Sequence, residues 1–414
     1  MASSRLSRSR PPPVADLTIL VAARDEEERI GEAVRMLART FPGAEIVVAD
    51  DGSRDRTAAL AEEAGARVVR LPRRGKGQAL TLAERELEPG PLLLCDADLE
   101  GELAPLAQAG ADLAVARFAE REGGGFGIAK SLARALIRAR SGFEAAEPLS
   151  GQRYLSRAAR EQCFPLAAGF GCETRMTIDA VRSGLSVQEV ELPLRHRATS
   201  RTAQGFLHRG LQLVDAVLAC GPQAVNHRGL RLPIVGWIIG LRGGALGAVA
   251  AVGLADDLWS GPERGFRRHV RSGRTTGVLK LVAIPLIGFI ATRRVSGAIL
   301  TGLAANALNQ LDTAPGRALK AYLAAAFVVD APKGLAVLLL PYDLREMAML
   351  GDAGSNSLGA LVGLKSVGRL TGRGRAVAIG ALAGLTLLGE HVSLGDLIER
   401  TPILRDLDRA GRQA

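Results

Sequence analysis

Residues 91–100 read PLLLCDADLE. A short apolar run that ends in the carboxylates of Asp96 and Asp98 fits a parallel strand buried on both faces. The tip of such a strand emerges at the crevice of an open α/β sheet, where ligands bind. Aspartates at i and i+2 share a strand face, and once the chain turns beyond the strand both reach one point. Hard oxygen ligands with room for water and phosphate suit Mg2+ or Mn2+, and such an ion neutralises the charge that grows on a departing diphosphate. An isolated D-x-D is more often a solvated turn, so the weight falls on its surroundings.

Upstream, the same pattern recurs. Residues 17–22 (LTILVA) form a continuous apolar strand that runs through Ala23-Arg24-Asp25-Glu26-Glu27-Glu28 into a helix over 29–40. Residues 45–49 (EIVVA) end in Asp50-Asp51-Gly52-Ser53, where Gly52 permits a tight turn and Ser53 or Asp55 caps a helix starting near Thr57. A third unit, 66–71, leads to Arg73-Arg74-Gly75-Lys76-Gly77-Gln78. Glycines flanking a lysine at a strand-to-helix turn let backbone and ammonium approach phosphate together. Four strands therefore deliver polar residues to one edge of a sheet.

AARDEEERI, VVADDGSRDRT, RRGKGQAL and LLLCDADLE stand in the order and spacing of the GT-A family 2 glycosyltransferases, which residues 17 to about 215 resemble. The resemblance implies a Rossmann-like, mostly parallel sheet and a nucleotide-sugar donor, a UDP- or GDP-sugar. It places Ala23, Asp25, Asp50, Asp51, Lys76 and Asp96 around the nucleotide, with Asp96 and Asp98 on the metal. Farther on, EPLSGQR (147–153), GFGCE (169–173) and Thr177-Ile178-Asp179 are similar to glucosyl-3-phosphoglycerate synthases and polyprenyl-phosphate sugar synthases. In such enzymes this region closes on the acceptor, and a histidine after the last strand completes the metal shell; the matching residue is His196. Glu173 has two readings. As a catalytic residue it binds the acceptor or takes the proton of the attacking hydroxyl; as a structural one it caps the helix that follows. The acceptor-binding Arg and Thr of the phosphoglycerate enzymes are missing from Gly123-Gly124-Gly125-Phe126-Gly127-Ile128-Ala129-Lys130, which implies a different acceptor.

The 414 residues suffice for two domains, and composition shifts near Pro233 to segments rich in Gly, Ala and Leu. The net charge of +10 suggests nucleic acid, but aromatics make up only 4% and no basic stripe is interleaved with stacking residues, so nucleic acid is excluded as a partner. Arginines cluster beside apolar segments instead, as suits an anionic cytoplasmic leaflet. Cys95, Cys163, Cys172 and Cys220 form no C-x-x-C, so reduced thiols and a cytosolic first domain are expected. The resulting division is a disordered basic tail (1–15), a GT-A domain (16–218), a linker (219–232) and an all-α, multi-span membrane domain (233–414).

Span candidates are 233–252, 278–291, 295–308, 318–329, 334–341, 358–367 and 376–388. Most are shorter than the ~20 residues that cross a bilayer core. NHRGLRLP, GLADD, NALNQLD and MLGDAGSNSLGA resemble the polyprenyl-phosphate N-acetylhexosamine-1-phosphate transferases. That resemblance implies a second Mg2+ and phosphate site at Asp256, Asp257, Asp312 and Asp352. The usual D-G-x-D-G is replaced by Asp312-Thr313-Ala314-Pro315-Gly316, and the family's histidine-rich loop is missing. The expected protein is a multi-pass bacterial plasma-membrane glycosyltransferase, its GT-A domain cytosolic, acting on a polyprenyl-phosphate or other lipid-linked or envelope acceptor. The alternatives are sugar-1-phosphate transfer in the second domain and a non-enzymatic envelope scaffold.

Overall fold

The computed structural model describes residues 16–98, 101–118, 128–193, 213–226, 228–259 and 276–412. The chain divides into two compact units, Met1–Gly221 with Arg228–Arg231, and Pro222–His227 with Leu232–Ala414.

Among the described residues the first unit is built on seven strands: β1 (Thr18–Ala23), β2 (Glu45–Asp50), β3 (Arg67–Arg70), β4 (Leu92–Asp96), β5 (Leu113–Phe118), β6 (Arg153–Leu155) and β7 (Val187–Leu192). Their order in the sheet is β3-β2-β1-β4-β6-β5-β7, and β6 alone runs antiparallel to its neighbours. The side-chain period of two explains why these strands read as apolar runs rather than as alternations. Ile19, Val21, Val48, Leu93, Cys95 and Ala114 enter one buried layer, with Ile30, Val34 and Leu37 of α1 (Ile30–Thr40) and Ala61 of α2 (Thr57–Glu63). Leu20, Val47, Leu92, Leu94, Leu113 and Val115 enter the opposite layer. There they meet Leu80 and Ala83 of α3 (Lys76–Glu84), Ala159 of α6 (Arg157–Cys163) and Met176 of α7 (Cys172–Arg182). Two further helices, α4 (Ala104–Gln108) and α5 (Ile128–Ser141), complete the unit's labelled elements.

Register fixes where the polar strand ends fall. Ala22 pairs with Asp96 on one side of β1, and Ala23 with Asp50 on the other. The tips of β1, β2 and β4 thus share one edge, at the point where strand order reverses and a crevice opens.

The second unit is helical. Its core is formed by Val249, Ile284, Ala305 and Ala360, one each from helices Gly244–Trp259, Thr276–Thr292, Val295–Leu311 and Gly351–Arg369. The first span candidate is not one helix. Strand residues 231–233 are followed by a 3-10 segment, Gly236–Arg242, and then by the helix from Gly244. Gly243 and Gly244 both have positive φ, 74° and 55°, which breaks the path between them. Candidates 318–329 and 334–341 lie in separate helices of 13 and 11 residues, Arg317–Val329 and Gly334–Leu344. Among the described residues no single helix is long and apolar enough to cross a membrane; Gly372–His391 and Leu394–Arg400, bent by 95°, reach that measure only as a pair.

Candidate functional site

The crevice at the tips of β1, β2 and β4 is assembled from three loops and one helix start. Asp51, just past β2, is buried, and its carboxylate accepts the backbone N–H groups of Arg74 (2.6 Å) and Gly75 (2.9 Å). Burial pushes its proton affinity up, and these two hydrogen bonds oppose that rise. The contact holds the glycine-lysine turn against the DDGS edge and starts α3 at Lys76.

Lys76 extends into the crevice. Its Nζ lies 2.5 Å from Asp96 Oδ1 and 2.6 Å from Glu173 Oε1. Burial alone pulls the ammonium down, but the two carboxylates outweigh it and hold Lys76 well above the ordinary lysine value. Glu173 sits in the first turn of α7, only 5% exposed. The N-cap position of that helix is Gly171, and the Glu173 carboxylate is directed to Lys76. Its second oxygen, Oε2, lies 3.1 Å from Cys172 Sγ.

Asp96 is fixed from the other side by Gln152. The Gln152 Oε1 accepts the Asp96 backbone N–H at 3.1 Å, and its Nε2 donates to Asp96 Oδ2 at 3.4 Å. The loop that carries Gln152 is organised by Arg153, whose fully buried guanidinium donates to Ser150 O (2.7 Å), Pro148 O (3.2 Å) and Thr177 Oγ1 (2.9 Å).

Asp25 follows β1 with φ of 53°, a left-handed backbone that aspartate tolerates better than most residues. Its carboxylate accepts the Arg54 N–H at 2.8 Å, while its own N–H donates to Ser53 Oγ at 3.0 Å. Asp50 Oδ1 accepts the Ser53 N–H at 3.0 Å. Ala23 is buried at the strand tip beneath these contacts. Of the acidic run 26–28, Glu26 and Glu27 lie before α1 and also reach the segment after β2: the Glu26 N–H donates to Thr57 Oγ1 and Glu27 accepts the Arg56 N–H, while the Glu26 carbonyl accepts the N–H groups of Arg29 and Ile30 at the start of α1. Burial raises Glu26, helped by Asp98 and Asp96 and resisted by Arg29, so three carboxylates share one field at the mouth.

The structure therefore brings Lys76, Asp96 and Glu173 into direct contact. Asp25, Asp50 and Asp51 stand on the adjoining strand tips, and Asp98 lies in the turn beyond β4 within the reach of Glu26. His196 and residues 123–127 lie outside the described residues. Three residues of the site were given no role by sequence reasoning: Gln152, Arg153 and Glu26. The first two sit in the quoted EPLSGQR stretch, where an arginine opening a central strand is the signal that a loop is tied back from inside.

The hard oxygens of Asp96 and Asp98 fit a divalent cation by donor type, and the Gln152 clamp orients one of them. Among the described residues, however, no group of three His, Cys, Asp or Glu is arranged to hold a metal ion. The four cysteines are free, and burial raises each thiol, Cys163 to about 12, as suits packing rather than reaction.

In the second unit the four aspartates singled out from sequence also converge. Asp257 accepts the backbone N–H groups of Asp352 (2.8 Å) and Ala353 (2.9 Å) at the start of helix Gly351–Arg369. The Lys280 ammonium lies 2.5 Å from Asp256 Oδ2 and also bonds Asp352. Asp312, at the end of helix Val295–Leu311, feels the charges of Asp343, Asp352 and Asp257. Lys280 and Asp343 are additions that the sequence motifs did not point to.

Residues 18–150 match the model of the glycosyl transferase family 2. Among curated proteins, the chain is 30% identical over 184 residues to the glycosyltransferase AglJ of Haloferax volcanii, covering 42% of this chain and 60% of that protein. It is 29% identical over 83 residues to protein RfbJ of Shigella flexneri, covering 20% of this chain and 64% of that one. The chain thus spans less than two thirds of the length of these relatives. Among solved structures, glucosyl-3-phosphoglycerate synthase from Mycobacterium tuberculosis in complex with Mn2+, UDP and glucosyl-3-phosphoglycerate is 26% identical, with a TM-score of 0.43 over 50% of this chain and 80% of that one. The same enzyme with Mn2+, UDP and phosphoglyceric acid is 27% identical, with a TM-score of 0.42 over 50% and 79%. Residues 18–150 of this chain are a glycosyl transferase family 2 domain.

Proposed function

We propose that the first unit transfers a sugar from a nucleoside-diphosphate sugar, UDP- or GDP-linked, to a lipid-linked or envelope-related acceptor. The observation that carries this reading is Lys76, held between Asp96 and Glu173. A cation between two carboxylates in a crevice leaves a net negative site with one phosphate-seeking group. Asp25, Asp50 and Asp51 hold the nucleotide side. Asp96 and Asp98 would hold Mg2+ or Mn2+, with His196 as a further ligand; when bound, the ion supplies neutralisation of charge on the leaving diphosphate. Lys76 turns to the diphosphate, and Glu173 accepts the proton of the acceptor hydroxyl.

The decisive experiment is a panel of nucleotide-sugars tested for thermal stabilisation with and without Mn2+, on the full chain and on Asp98→Ala. A donor that stabilises the native chain should lose its Mn2+-dependent shift in the variant. Equal shifts in both would exclude Asp98 from donor binding.

Lys280 between Asp256 and Asp352, with Asp257 on the same helix start and Asp312 in the field of Asp257 and Asp352, favours a second reading, sugar-1-phosphate transfer to a polyprenyl phosphate in the second unit. Release of UMP rather than UDP from a UDP-sugar distinguishes the two. For the second unit we propose a bacterial plasma membrane location, with the first unit cytosolic. This is supported by apolar side chains that stand exposed on its helices, among them Val282, Leu286 and Ile290 on Thr276–Thr292 and Val377 and Leu387 on Gly372–His391.

A further inference from the structure

Of the last two helices of the second unit, Leu394–Arg400 buries Leu394, whereas Pro402–Arg409 buries a charge and leaves large apolar side chains outside. In the final helix the one buried residue is Asp408, whose carboxylate takes both arms of the Arg317 guanidinium (3.0 and 2.8 Å) and also Arg412 (2.5 Å). Lys320 donates to the carbonyls of Leu407 (3.0 Å), Asp408 (2.6 Å) and Ala410 (2.7 Å) at the same helix's end. The flank beside it carries Ile403, Leu404 and Leu407, exposed by 75%, 46% and 63%. Exposing three large aliphatic side chains while burying a charge is the reverse of a helix that faces water. Leu397 of the preceding helix is exposed as well.

The bend that precedes these helices says what covers them. Gly372–His391 is 20 residues long with no buried residue, and Leu394–Arg400 leaves it at 95°. Twenty residues of helix rise ~30 Å, about the thickness of a hydrocarbon core, although this helix is apolar enough for a span only together with Leu394–Arg400. With that helix upright in a bilayer, the segment after the bend lies in the membrane plane. The charges bordering the apolar arc are already paired, Arg409 with Glu399 and Arg405 with Asp406, so the surface is neutral.

We infer that residues 394–409 form an interfacial foot that lies in the headgroup boundary of a phospholipid surface and seats Ile403, Leu404 and Leu407 among the acyl chains. The foot binds by apolar insertion, not by attraction to anionic headgroups. This inference rests on the membrane reading of the second unit, and its test separates the two. The full chain carrying Leu404→Cys, and separately Val377→Cys, is labelled with an environment-sensitive fluorophore and reconstituted in phosphatidylcholine vesicles containing nitroxide lipids. The label at 404 should be quenched most by nitroxides near the headgroup, and that at 377 by nitroxides deep in the chains. Salt should leave the quenching at 404 unchanged. Quenching at 377 without quenching at 404 overturns the foot and leaves the membrane reading intact; no quenching at either site overturns both. Cross-linking between copies through residue 404, without lipid quenching, assigns the face to a second copy and also overturns the inference.

Discussion

Gly151 has no side chain because Asp96 occupies the space one would fill: a Cβ at residue 151 would lie 2.1 Å from Asp96 Oδ2 and 2.6 Å from Lys76 Nζ. Backbone thus closes the crevice directly over the ion pair. Gly151→Ala should push the Asp96 carboxylate off Lys76 and off the Gln152 clamp. Overpacking of this kind costs about 1–3 kcal/mol, while a misplaced carboxylate costs activity more steeply. The expected result is a modest fall in melting temperature with a loss of donor-dependent turnover of roughly tenfold or more, measured as kcat/KM beside a thermal melt. Unchanged turnover would detach Asp96 from the chemistry.

Removing the cation should do more damage than removing a carboxylate. Lys76→Met leaves Asp96 and Glu173 facing each other in a buried crevice, and breaking one side of a buried pair typically costs about 3–5 kcal/mol. Adding Glu173→Gln to that variant should recover part of the stability and none of the turnover. Urea denaturation of the native chain, the single variant and the double variant checks this. Full additivity of the two changes would show that Lys76 and Glu173 do not interact.

Much of the first unit was legible in its sequence because parallel strands covered on both faces write themselves as unbroken apolar runs. LTILVA and PLLLC are such runs, and the glycines and aspartates after them mark where each strand ends. What was not legible is how those ends touch. Gln152 acts on Asp96 from 56 residues away along the chain, beside an antiparallel strand inserted between parallel ones, with Arg153 tying its loop down, and no local pattern announces that crossing. Nor does the acidic run after β1 announce that Glu26 and Glu27 reach across to Thr57 and Arg56 beyond β2. In the second unit, segment 233–252 looked continuous by hydropathy alone, but the paired left-handed glycines divide it. The convergence of Asp256, Asp257, Asp312 and Asp352 followed motif spacing, whereas Lys280 stands in an apolar helix where nothing marks it as their partner.

Asp51 gives a pH dependence with a definite sign. Its folded proton affinity is raised by burial, so the folded state holds a proton that the unfolded state has already released. Stability attributable to this group is therefore greatest below the ordinary aspartate value of about 3.9 and declines as pH rises through the raised folded value. Asp51→Asn retains an acceptor for Arg74 or Gly75 and cannot ionise. The stability difference between the native chain and this variant should move in the variant's favour as pH rises from about 4 towards 7, followed by chemical denaturation across that range. A difference that stays constant, or moves the other way, would mean that the two backbone hydrogen bonds outweigh burial at this carboxylate.

Arg153 offers the sharpest test of how the crevice is held, because it reaches the site only through the loop it ties down. Its guanidinium spans acceptors on Pro148, Ser150 and Thr177 from a fully buried position. A lysine there keeps the charge but offers a single compact donor, which cannot span the same three acceptors. Each acceptor left buried and unpaired costs about 1–3 kcal/mol, so Arg153→Lys should lower stability well beyond the usual conservative substitution. Turnover should fall through kcat more than KM, since the loop's freedom displaces Gln152 and with it the orientation of Asp96, without removing any group that touches donor. Both parameters are read from the same donor titration, and a rise in KM at constant kcat would instead place this loop in donor binding.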